Sequence, residues 1–127
     1  RTWYKILLKA KGILHADYPD MTGSGLDPRV LKVLDIDIDE TLSHIRKNLP
    51  SYLEFEGWIL EQCGGTLPAK AVDEWNDYLC NRIHPEGKQA DITNTLGRDN
   101  DGSITSAVVL NNIEDWHFAH QDLINNR

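Results

Sequence analysis

The sequence predicts an all-α protein: a small irregular bundle of five to six helices, with a long polar loop at 85–102 before the C-terminal segment. Two observations carry this. Apolar residues recur at three- and four-residue spacings in most segments, the period of a helix with one buried face. Helix start and stop signals also punctuate the chain at Asp27-Pro28, Pro50-Ser51, Gly64-Gly65 and Pro85.

Segment 1–14 reads as a helix because Trp3, Leu7, Ala10 and Leu14 repeat at 4-3-4 spacing beside Ile6 and Ile13. A loop over 15–27 ends it. Asp27 is expected to cap a short helix over 28–34, with Pro28 at its first position and Val30, Leu31 and Leu34 inward. Asp37 or Asp39 caps a third helix carrying Ile38, Leu42 and Ile45. Ser51 and Glu54 have capping-box spacing for a fourth helix over 52–63, which buries Phe55, Trp58, Ile59 and Cys63. A fifth runs from Pro68 to before Pro85, with Val72, Trp75, Leu79 and Ile83 on one face. Residues 104–110 fit either a short helix or, at Val108-Val109-Leu110, a strand. The tail offers Ile113, Trp116, Phe118 and Leu123 for docking onto the body.

At 127 residues the length fits one domain, 1–127. The chain opens on Arg1 rather than Met, so a trimmed start is expected. A net charge of −7 argues against nucleic acid as a partner, because such binders neutralise phosphates with Lys and Arg. No apolar run approaches the roughly 18 residues of a membrane span. Arg1, Lys5 and Lys9 share a face of the first helix, read as its solvated side or as a dock for an acidic partner. Cys63 and Cys80 form no CxxC pair, and reduced thiols in a cytoplasm are the expected state.

The N-terminal half resembles a bacterial family, domain of unknown function 5069. The resemblance lies on Arg1, Lys5, Ile6, Gly12, Leu14, Asp17, Tyr18, Gly23, Gly25 and Asp27, and continues at Trp58, Trp75-Asn76 and Tyr78. Leu26 stands where that family commonly has an aromatic residue, and Asp115-Trp116-His117-Phe118-Ala119-His120 departs from its acidic tail. The resemblance implies a compact bacterial helical domain with a short upstream segment, and no reaction.

The densest group of polar side chains is the loop holding His15, Asp17, Tyr18, Asp20, Gly23, Ser24, Gly25 and Asp27. Imidazole and carboxylate are the usual acid–base kit, and glycines let a ligand approach the backbone. In that reading His15 or Asp17 is the base and Tyr18 an orienting donor. The competing reading, favoured here, is structural: aspartates bonding loop amides, a helix cap, and glycines permitting a turn. The Gly-Ser-Gly lacks the lysine of a phosphate loop.

Residues 97–105 imitate part of a calcium loop, but Gly97 and Val108 occupy the first and twelfth positions where ligands are required, which leaves an Asp-Gly turn. His117 and His120, at i and i+3, are two weak metal candidates that need distant help, from His44 or His84 for example. The four tryptophans are expected in the core, and one found outside would mark a docking patch. The leading expectation is a non-catalytic interaction or binding module with a protein partner and no cofactor. The alternatives are a small enzyme or sensor using the 15–27 loop, and a metal-dependent function through the C-terminal histidines. Oligomeric state is left open.

Overall fold

Helix signals in the sequence become seven α-helices among the described residues of the computed structural model, which are 1–18 and 25–125. They are α1 (Thr2–Ala10), α2 (Leu26–Val33), α3 (Ile38–Asn48), α4 (Tyr52–Gln62), α5 (Ala69–Asn81), α6 (Glu86–Thr95) and α7 (Ala107–Asn125). The chain is all-α. It divides into two compact units, Arg1–Trp75 and Asn76–Arg127, with the division falling inside α5.

In the first unit α1 packs on α3. Ile6, Leu42 and Ile45 are buried together, with Trp3, Leu7, Ile38 and Phe55 around them. Each of these residues lies on the apolar stripe of its own helix. Asp37 caps α3 by accepting from the Glu40 N–H at 2.8 Å. The capping box on α4 forms in full: Ser51 Oγ accepts from Glu54 N–H, and Glu54 Oε2 accepts from Ser51 N–H at 2.7 Å. That second bond holds the Glu54 carboxyl below its ordinary range. Gly64 and Gly65 stop α4 with φ of 73° and 89°, which a β-carbon would strain. Leu49 closes α3 in the same left-handed region, at φ 47°.

The second unit is built on α6 against α7. Ile92, Ala107, Leu110 and Phe118 are buried there. Beside them Ile83 and Ser106 form an isolated antiparallel bridge, and the Ala107 N–H donates to Arg82 O at 2.9 Å.

The structure corrects several expectations. The polar stretch 85–102 is not a long loop, because Glu86–Thr95 forms α6. Its buried face holds Gln89 and Thr93 beside Ile92, and both polar side chains bond locally. Gln89 Nε2 donates to His84 O at 2.7 Å and Thr93 Oγ1 to Gln89 O at 3.0 Å. A helix whose inward residues satisfy themselves in this way has almost no apolar period to read. Residues 108–110 are helical, not a strand; Ser106 Oγ accepts from Val109 N–H at 3.4 Å at the start of α7.

Asp27 is not a cap. Gly25 stands at that position, and the Asp27 side chain turns to α1 instead. Lys5 is correspondingly buried rather than solvated. Ile83 lies past the end of α5 and is exposed, as are Trp116 and Leu123 in the tail. Among the described residues no helix is long and apolar enough to cross a membrane.

Candidate functional site

The described part of the 15–27 loop region meets α1 and α2 at one buried ion pair. Lys5 Nζ lies 2.5 Å from Asp27 Oδ2, with their side chains 10% and 15% exposed. Lys5 reaches inward because it falls one residue before Ile6, on the side of α1 that faces the body. Asp27 reaches it from the first turn of α2. Thr2 Oγ1 donates to the other carboxylate oxygen at 2.7 Å, so both Asp27 oxygens are occupied.

Burial of Asp27 pushes its pKa up. The hydrogen bonds from Lys5 and Thr2 and the charges of Lys5 and Arg1 outweigh that, and hold the carboxyl below its ordinary 3.8. The Tyr18 ring completes the group. Lys5 Nζ stands 5.6 Å from its centroid and the Arg1 guanidinium 5.8 Å, both within cation–π range. His15 meets the same ring edge-on at 6.5 Å.

His15 and Asp17 make a local, exposed contact. The Asp17 N–H donates to His15 Nδ1 at 3.3 Å, and the Asp17 carboxylate is 3.8 Å from that nitrogen. The Asp17 side chain is 65% exposed. Gly25 is exposed at the start of α2 with φ −73°, ordinary for any residue, so its backbone makes no special demand there. Gly23, with Asp20 and Ser24, lies outside the described residues. The structure therefore brings Tyr18 and Asp27 together with His15 alongside, leaves Asp17 at the rim, and adds Thr2 and Lys5. Chemically the group is a clamp: the Asp27 carboxyl accepts one bond from the Lys5 amine and another from the Thr2 hydroxyl.

The metal candidates do not assemble. Among the described residues there is no group of three or more His, Cys, Asp or Glu able to hold a metal ion. His120 is exposed, and His117 is half-buried with its Nε2 unpartnered. His84 is buried, and its Nε2 lies 3.0 Å from Asn111 Oδ1. His44 stacks on Trp58, with ring centroids 4.4 Å apart. In the turn after α6, Asp101 accepts from Ser103 N–H at 2.9 Å and Asn100 from Gly102 N–H at 3.3 Å. Hydrogen bonds from the Ser103 side chain and backbone N–H hold the Asp101 carboxyl below its ordinary value, and the Asp101 and Asn100 side chains are both occupied by the turn itself. Cys63 and Cys80 are both free.

Two features were not anticipated. An open depression of about 480 Å³ between α3 and α4 is lined by Asp39, Glu40, Ser43, His44, Trp58 and Gln62. None of the described residues of the 15–27 loop lines it. The second is the outer side of α7. Its inner side, against α6, carries the buried Ala107, Leu110 and Phe118 and is tied by Lys88 to Glu114 at 4.0 Å. On the other side Val109, Asn112, Trp116, Ala119 and Leu123 are all exposed, Trp116 at 71% and Leu123 at 62%. The 3-4-3-4 spacing of these five residues was present in the sequence, but it overlaps the spacing of the buried face. Only the fold shows which stripe is covered. Comparison with protein-family models, with characterised proteins and with solved structures finds no match for this chain.

Proposed function

We propose that this chain is a non-catalytic protein-interaction module that docks through the outer face of α7. The observation that carries the reading is Trp116, 71% exposed at the middle of a 19-residue helix, with Val109 and Leu123 exposed one heptad to either side. An indole left in water forgoes the largest apolar burial any side chain offers, and tryptophan is the residue most enriched at interface hot spots. The engagement of Asp27 with Lys5 and Thr2 supports the non-catalytic part, since a carboxylate with both oxygens bonded is poorly placed to accept a substrate proton. Two free cysteines, Cys80 exposed, suit a reducing compartment and support a cytoplasmic setting. Membership of the domain of unknown function 5069 family belongs to the same proposal. It is supported by the convergence of Arg1, Lys5, Tyr18 and Asp27 on one cluster.

The test is a photo-reactive phenylalanine analogue at position 116 of the full chain, irradiated in the host cell. A defined covalent adduct is expected, with none when the same analogue sits at exposed Glu56. Absence of any adduct at 116 refutes the interaction reading.

A further inference from the structure

We propose that the occupant of the α7 outer face is a second copy of this chain, with the two α7 helices packed antiparallel about a twofold axis near residues 117 and 118. This rests on the interaction reading above and names its partner. Val109, Asn112, Trp116, Ala119 and Leu123 follow the alternating three- and four-residue steps of a coiled-coil seam, and all five are exposed. None is charged, so pairing the seam desolvates no ion.

Size complementarity selects the orientation. In an antiparallel pair about that axis, facing seam positions have numbers adding to a constant, which sets Trp116 against the partner's Ala119 and Ala119 against the partner's Trp116. Each indole then fills the space left by a methyl group, twice over, by symmetry. A parallel pair would instead set two tryptophans against each other and leave a gap at the two alanines. Leu123 faces the partner's Asn112 toward the ends of the seam, where the amide can stay in water.

Area sets the strength. A 19-residue helix is about 28 Å long, so a two-helix seam falls at the small end of specific interfaces and supports a weak association, with a dissociation constant on the order of 10⁻⁵ M.

The experiment is sedimentation velocity of the full chain over about a hundredfold range of concentration around that value. The mass should climb from 14.5 kDa toward twice that figure. Trp116→Ser should raise the dissociation constant at least about tenfold with helix content unchanged, because the side chain is exposed. Should Trp116→Ser lose helicity, Leu123→Ser tests the same seam.

Ala119→Phe is the sharper variant. It makes the face more apolar yet removes the space Trp116 needs, so association should fall. A mass of 14.5 kDa at every concentration, or an Ala119→Phe chain that associates as strongly as the parent, overturns the proposal. If the pure chain stays monomeric while the probe at 116 captures a different protein, the self-pairing falls and the interaction reading stands. If neither occurs, both fall.

Discussion

Replacing Asp27 by asparagine removes one charge from the Lys5–Asp27 pair and changes almost nothing else in shape. Removal of one partner from a fully buried pair costs about 3–5 kcal/mol, because the remaining ion is left without compensation. Here the Asp27 side chain keeps 15% exposure, and an asparagine oxygen can still accept from Lys5 or Thr2. The expected loss is therefore nearer about 2 kcal/mol. For a cooperative unit of this size that lowers the melting temperature of the first unit by roughly 8–16 °C. Circular dichroism and tryptophan emission should report the same shift, since Trp3 on α1 donates to Pro50 O at 3.0 Å.

A second arm separates charge from shape. Lys5→Met with Asp27→Leu leaves no ion behind and should cost less than the sum of the single changes by at least about 1.5 kcal/mol. Acid provides a third. The folded Asp27 pKa lies below its ordinary 3.8, so its contribution is complete above that pH and fades as pH falls through the folded value. The gap between parent and Asp27→Asn should close over that acid range. An Asp27→Asn chain that melts within about 2 °C of the parent at neutral pH refutes the clamp, since each kcal/mol should move the transition by more than that. It would return the carboxylate to the list of ligand-binding groups.

The remaining predictions are simpler. Asp17→Asn should change stability by less than about 0.5 kcal/mol, because the side chain is mostly in water; a larger loss in thermal melts contradicts its placement at the rim. Ile45→Ala, at a position with no exposure, should cost about 3 kcal/mol in urea unfolding. Ser51→Ala removes half of the capping box on α4 and should cost about 1 kcal/mol by the same assay. Leu49→Gly should change stability by no more than about 1 kcal/mol in urea unfolding: relief of the left-handed φ of 47° is offset by lost contacts, since the leucine is only 39% exposed, and by the added freedom of the unfolded chain.

What was legible in the sequence follows how locally each feature is encoded. The Ser51–Glu54 box and the Gly64-Gly65 stop each depend on a few adjacent residues and form as read, and of the two caps offered for α3, Asp37 and Asp39, it is Asp37 that forms. The stripe Ile38, Leu42 and Ile45 is equally local and lies in or against the core. Asp27 was misread for the opposite reason. An aspartate before a proline is a sound cap signal, and what overrides it is a lysine 22 residues away, which no local pattern announces. Helix α6 was missed because Gln89 and Thr93 bond nearby backbone carbonyls, His84 O and Gln89 O, and so occupy core positions without apolar spacing.

The same contrast decides how the polar loop and the C-terminal helix should be weighed against each other. A cluster of ionisable side chains attracts attention as a site, yet here its most buried members bond one another. Lys5, Thr2 and Asp27 join α1 to α2, and Tyr18 lays its ring over the ammonium of Lys5. That arrangement uses up charge. The outer face of α7 does the reverse with apolar surface, since Val109, Trp116 and Leu123 remain exposed in this fold. Trp116 stands one residue before His117 and two before the buried Phe118, so a rotation of about 200° around the helix separates the covered face from the uncovered one. A helix that is apolar on opposite sides gains nothing in its own unit from the second side. Uncovered apolar surface along α7, more than the satisfied charges of the loop, therefore carries the interaction proposal.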